Sequence, residues 1–170
     1  MTKIIFFSGI HGVGKGTLCR TLEDKLGYPI YSCSDLIKQN SEYVEIGKAV
    51  SSAEKNQLAL LAGLKNIQEN IILLDGHFCL VGKENQIIEL GYETFDAINP
   101  DKIVNLSCDE KIVHQRLIAR DGKALCVEVL KSLQSAEFRR ATFFANTRNI
   151  PINNFVSGSD TNELIEWIIK

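Results

Sequence analysis

The chain lacks long apolar runs, a strong excess of either charge, a cysteine pairing pattern and abundant proline. No stretch approaches the roughly 20 apolar residues that a membrane-spanning helix needs. The 19 basic and 21 acidic residues leave a net charge of −2. That excludes a broad basic footprint for nucleic acid or anionic membrane, although a local basic pocket stays compatible with it. The five cysteines, Cys19, Cys33, Cys79, Cys108 and Cys126, are odd in number and irregularly spaced. None forms a CxxC pair or a close cluster with histidine, which argues against a disulfide framework or a structural zinc site and for a reducing compartment. The opening MTKIIFFSGI is briefly apolar, but glycines and a histidine follow where a secretion signal would stay apolar. A cytoplasmic location is the expectation. With three prolines, and with no repeat, linker or low-complexity segment, nothing divides the 170 residues, and a single domain 1–170 is expected.

What is present is an alternation of compact apolar runs and helical periodicities. Ile4 to Ser8, Ile71 to Leu74 and Lys102 to Leu106 read as strands buried on both faces, and Ile152 to Val156 as a last one. Ile30-Tyr31 adds a short strand. Leu18, Leu22 and Leu26 recur every four residues and predict a helix from Lys15 to Leu26, stopped by Gly27 and Pro29. Ser34-Asp35 caps a helix through Leu36 and Ile37. Ser51-Ser52 and Glu54 start another, carried by Leu58, Leu61 and Leu64 towards Glu69. Ile87, Ile88 and Leu90 are read as part of a short helix. Asp109 opens a helix with Ile112, Val113 and Leu117 on one face. A longer helix follows from about Ala124 to the Thr147 region, and Asp160 precedes a closing helix with Leu164, Ile165 and Ile168 buried. Apolar strands alternating with helices predict an α/β fold: a three-layer, doubly wound parallel sheet of about five strands.

The sharpest motif is Gly9-Ile10-His11-Gly12-Val13-Gly14-Lys15-Gly16-Thr17, between a buried strand and a helix start. Glycines let the backbone curl so that successive N–H groups face phosphate oxygens. The following helix adds its positive end. Lys15 supplies a mobile charge for the β- and γ-phosphates of a bound nucleotide. Asp75, at the carboxyl end of an apolar strand, falls beside the crevice where ligands bind in such sheets, and its expected role is to position magnesium. A turn or helix-capping aspartate is the plainer alternative.

The order Gly14-Lys15-Gly16-Thr17 departs from the general phosphate-loop pattern, which has serine or threonine directly after the lysine. It resembles adenylate kinase and its nucleoside monophosphate kinase relatives. The resemblance makes Gly9, Gly12, Val13, Gly14, Lys15, Gly16 and Thr17 the nucleotide-binding set and Thr17 a phosphate contact. It also leaves magnesium held largely by phosphates and waters, with Asp75 orienting those waters. Ser32-Cys33-Ser34-Asp35-Leu36-Ile37-Lys38 is similar to the segment that starts the family's acceptor-binding helix, which makes Asp35 and Lys38 acceptor-site residues. A helical insertion of about 34–70 is then expected to bind the acceptor. Leu73-Leu74-Asp75-Gly76-His77-Phe78-Cys79 resembles the family's L-D-G-F-P-R run, with Cys79 in place of the arginine that grips the acceptor phosphate. The Asp-x-His form looks like archaeal-type adenylate kinases and related ATPases of ribosome assembly, which places His77 near the γ-phosphate or the acceptor.

Arg116 and Arg120, four apart on one helix, match the family's pair that clamps the transferring phosphates, ahead of a very short lid at about 120–124. Arg139, Arg140 and Arg148 fall where the family has further phosphate-binding arginines. Asn153 to Gly158 resembles the segment beside the adenine. His114 has no chemistry that the sequence reveals. The resemblance thus implies a kinase that moves the γ-phosphate of Mg-ATP to a small acceptor, a nucleoside monophosphate. The alternatives are a kinase of another small metabolite, and a slow ATPase acting as a nucleotide-dependent assembly protein. A small molecule is the expected partner, with no nucleic acid or membrane indicated and a protein partner left open.

Overall fold

A computed structural model describes residues 1–41 and 52–170, and the side chain of Ser52 is outside that description. The expected helix start at Ser51, the acceptor-side loop after Asn40, and part of the expected 34–70 insertion therefore lie outside the described residues. Five parallel strands form the main sheet: β1 (Lys3–Ser8), β2 (Ile30–Ser32), β3 (Ile71–Asp75), β6 (Lys102–Ser107) and β7 (Ile152–Val156). Their order is β2-β3-β1-β6-β7. From β1 the chain goes out to the edge strand β2, returns to β3 beside β1, and then crosses to β6 and β7 on the other side, so the loops that leave β1 and β6 part company above the sheet. That parting opens the crevice in which doubly wound sheets bind ligands.

Burial on both faces explains the strand sequences. Ile4, Ile5, Phe6 and Phe7 of β1, and Ile72, Leu73 and Leu74 of β3, are all buried. The covering helices are α1 (Lys15–Leu26), α2 (Cys33–Asn40), α3 (Ser52–Lys65), α4 (Tyr92–Ile98), α5 (Glu110–Asp121), α6 (Val127–Thr147) and α7 (Asn162–Ile169). In α1 the predicted stripe is real: Leu18 and Leu22 are buried, and Gly27 ends the helix in the left-handed region. In α5 only Val113 and Leu117 turn inward, and Ile112 is exposed.

Two readings change. The buried residues of α3 are Ala59, Leu60 and Gly63, and of the expected leucines Leu64 packs against the core while Leu58 is exposed. Gly63 shares the Ala59 face, and a Cβ there would stand 2.7 Å from the Asn40 amide nitrogen and 3.2 Å from Leu36. Small residues let α3 sit closely on α2, and that contact outweighs the leucine spacing. The segment expected as a short helix at Ile87–Leu90 is instead β5 (Ile87–Glu89), paired antiparallel with β4 (Cys79–Val81). Gly82 and left-handed Glu84 and Asn85 make the turn, and β-branched Ile87 and Ile88 suit a strand.

Candidate active site

All five strands of the main sheet are parallel, so their carboxyl ends share one edge. A cavity of about 840 Å³ lies along it. Its lining takes residues from each strand's carboxyl end: His11, Gly12 and Gly14 to Thr17 after β1, Ser32 to Ser34 at β2, Asp75 to His77 at β3, Leu106 on β6, and Ser157 to Ser159 after β7. Position in the sheet, rather than sequence proximity, assembles the site.

The loop after β1 is shaped by positive φ at Gly9 (150°), Gly12 (83°) and Gly14 (100°). Gly12 carries a second restriction, since a Cβ there would stand 3.0 Å from Leu117 Cγ. Gly14 precedes α1, whose start has no side-chain cap and whose first turn has no acid. The amide end of a twelve-residue helix thus faces the cavity uncompensated, which suits an anion.

Lys15 is 6% exposed. Its Nζ donates to the Gly9 carbonyl, lies 3.5 Å from Asp75 Oδ1 and 3.2 Å from His77 Nδ1. Burial lowers its pKa, and the Asp75 and Glu137 carboxylates act against that shift. The His77 Nδ1 is also 2.7 Å from the Gly9 carbonyl. A donated Nδ1–H at that distance leaves Nε2 as the acceptor of a neutral ring. Burial first, then the Lys15 charge, drive the His77 pKa down to about 3. The His11 ring stands 4.5 Å from it, centroid to centroid, and its pKa is lowered by burial and by Lys15.

Arg116 and Arg120 both line the cavity. Arg116 Nη1 reaches the Gly12 carbonyl at 3.3 Å and Ser157 Oγ at 3.5 Å, bridging the loops after β1 and β7. Arg120 makes two 3.0 Å hydrogen bonds to its neighbour Asp121. Gly122 then closes α5, and α6 starts at Val127, so residues 120–124, where a lid was expected, are the end of α5 and the first part of a short interhelical connection.

The residues expected at the site therefore divide. Gly12, Gly14, Lys15, Gly16, Thr17, Asp75, His77, Arg116 and Arg120 line one cavity. Gly9 and Val13 lie beneath it, Gly9 through its carbonyl and Val13 as a fully buried core residue. Asp35 and Lys38 are exposed on α2 and are not in the cavity lining. Arg140 and Arg148 are occupied elsewhere: Arg140 with Glu89 and the Leu90 carbonyl, Arg148 with Asp96. Cys79, in the arginine position of the resemblance, is buried. Sequence reading missed Arg20, which lines the cavity and reaches Thr17 Oγ1 at 3.5 Å. Its place three residues after Thr17 on the same helix was the available signal.

The family model described as AAA domain matches residues 8–131, from the end of β1 into α6. The chain belongs to that family. Its relatives bear out the adenylate kinase-like P-loop resemblance. A putative adenylate kinase of Methanocaldococcus jannaschii is 27% identical over 173 residues, covering 96% of this chain and 85% of that one. An adenylate kinase of Rhodococcus erythropolis is 30% identical over 127 residues, 68% of each chain. UMP-CMP kinase 3 of Oryza sativa subsp. japonica is 28% identical over 129 residues, 69% of this chain and 59% of the relative. The crystal structure of a gluconokinase from Sinorhizobium meliloti superposes with a TM-score of 0.54 at 13% identity, covering 97% and 87%, a likeness of fold alone. Among the described residues no helix is long and apolar enough to cross a membrane.

Proposed function

We propose that this protein transfers the γ-phosphate of Mg-ATP to a small acceptor, with a nucleoside monophosphate as the first candidate. The observation that carries this reading is the buried Lys15 between Gly9, Asp75 and His77, at the foot of a cavity with Arg116 and Arg120 on its wall. In the reaction the acceptor oxygen bonds to the γ-phosphorus while the bond to the bridging oxygen of ADP breaks. Charge spreads over the phosphoryl oxygens, so fixed cations and amide dipoles are what the protein supplies. Lys15 and the α1 amides hold the nucleotide phosphates, Arg116 and Arg120 offset the developing charge, and the short connection beyond Arg120 closes over it and excludes water.

The donor set suits magnesium held mostly by substrate and solvent. No cluster of three metal-binding side chains exists among the described residues, and the single Asp75 carboxylate is partly exposed in the cavity. That is the protein contribution Mg²⁺ accepts when phosphates and waters complete its shell, and the ion neutralises charge on the bound phosphates.

One observation favours a second reading, another small metabolite as acceptor. Cys79 is buried where the resemblance expects a phosphate-gripping arginine, and Lys38 is outside the cavity lining. The deciding assay is ADP formation from Mg-ATP, alone and with each nucleoside and deoxynucleoside monophosphate, with identification of the diphosphate product. A product-confirmed stimulation by one monophosphate is the expected result. Turnover that ignores all of them, with a separate metabolite stimulating it, would establish the second reading. Slow hydrolysis indifferent to every acceptor would instead favour an assembly ATPase.

A further inference from the structure

Glu137 is 1% exposed, the most deeply buried charged side chain among the described residues, and it lies on α6 outside the cavity lining. A carboxylate withdrawn from water is unfavourable unless its oxygens are bonded, and an apolar side chain would fill the space with less penalty. Both oxygens are used. Oε1 accepts from the Phe78 N–H at 2.7 Å and Oε2 from the Cys79 N–H at 2.8 Å. These are the two amides that follow His77 in the chain. The Gly9 amide and the Lys15 charge further favour the ionised form against burial. Arg140, three residues on, donates to Glu89 and to the Leu90 carbonyl. Helix α6 thus grips the β4–β5 hairpin at its entry and its exit. Phe78 is fixed from its other sides by Phe95, 4.1 Å away in a stack, and by Phe6 at 5.6 Å.

We propose that Glu137 is a positioning residue of the phosphate site: by clamping the Phe78 and Cys79 amides it holds the His77 ring on the Gly9 carbonyl, and so fixes where the Lys15 ammonium stands. His77 and Lys15 share that carbonyl, so a shift of the hairpin entry displaces both. Glu137 touches no reacting atom. It binds the loop that leaves β3 through two backbone amides, and the His77 ring of that loop meets the Gly9 carbonyl of the loop that leaves β1. The kinetic part of this inference rests on the ATP-dependent reading above, and the structural part does not.

The test compares the whole protein with its E137Q and E137D variants in three measurements: ring-nitrogen NMR shifts of His77, ATP affinity by calorimetry, and ADP formation. E137Q keeps the shape but cannot accept from both amides. It is expected to move the His77 ring shifts, to lower maximal ADP formation by roughly tenfold or more, and to change ATP affinity by less than about threefold. E137D keeps the charge and should recover part of the rate. Unchanged His77 shifts in a folded E137Q overturn the proposal, as does a loss of rate that only follows a loss of stability. If the native protein forms no ADP, the functional reading fails while the His77 shifts still decide the clamp. If E137Q does not fold, amide exchange in the native protein decides: protection of Phe78 and Cys79 comparable to the central strands supports the clamp, and exchange within minutes overturns it.

Discussion

The Lys15 ammonium lies almost out of water, bonded to the Gly9 carbonyl and 3.5 Å from the partly exposed Asp75 carboxylate. A phosphate arriving at the α1 amides would find an ammonium already desolvated. Lys15→Met keeps the apolar stem and removes the charge. Maximal ADP formation should fall at least about 100-fold with little change in melting temperature, because what is lost is an electrostatic contact to the transferring group. A variant retaining most of its activity would remove Lys15 from the chemistry. Gly12 tests the loop's shape rather than its charge. Gly12→Ala meets both a φ of +83° and the 3.0 Å approach to Leu117. It should destabilise by about 1–2 kcal/mol from backbone strain alone, before the clash, and weaken ATP binding. Denaturant unfolding and calorimetry check the two parts separately, and normal values in both would mean the loop relaxes freely.

At the scale of elements, α6 is the organiser that the sequence conceals. Arg148, which follows its last residue, makes two 2.9 Å hydrogen bonds to Asp96 of α4 and lies over the Tyr92 and Phe144 rings. Both charged groups are about a third exposed or more, so a double-mutant cycle of Arg148→Ala and Asp96→Ala should give only the weak coupling of a solvent-screened surface pair. A coupling several times larger would make this pair a principal tie between the helices. The central strands were legible because burial on both faces writes an unbroken apolar run into β1, β3 and β6. The hairpin was not, since Ile87, Ile88 and Leu90 fit either period, and Glu84 and Asn85 adopt left-handed conformations that composition does not announce. In the site, Lys15 and Asp75 were legible from motif and strand end. Glu137 was invisible because its partners are backbone amides 58 and 59 residues away. Asp35 and Lys38 were read onto the site from a linear resemblance, and the orientation of α2 leaves both exposed.

For the whole molecule, the five cysteines report on packing. Cys19, Cys79 and Cys108 are buried, Cys33 is half-buried, and Cys126 is exposed just before α6. Burial drives the Cys19, Cys33 and Cys79 thiols up to about 12, so their reactive thiolates are scarce at neutral pH. A thiol reagent at mildly alkaline pH should therefore titrate one cysteine rapidly in the native protein and the remaining four only on unfolding. Mass mapping should place the fast label on Cys126, and rapid labelling of Cys33 would reveal opening of the cavity wall beside Asp75.

Nucleotide binding should couple the separate loops into a single stability response. The cavity draws on residues at the carboxyl end of every strand of the main sheet, so a ligand that fills it ties together segments that otherwise meet only through the sheet below. A ligand bound only by the folded state at 100 times its dissociation constant stabilises by about 2.7 kcal/mol. For a chain of this size that corresponds to a rise of roughly 5–10 °C in melting temperature. Mg-ATP should give a rise of this order, and ATP with a chelator a smaller one, because the phosphate charges are then less neutralised. Asp75→Asn should narrow the difference between the two conditions while preserving the rise with ATP alone. If magnesium adds the same increment to Asp75→Asn as to the native protein, Asp75 has no part in holding the ion, and what is left to it is the 3.5 Å ion pair with Lys15, which acts against the lowering of the Lys15 pKa by burial.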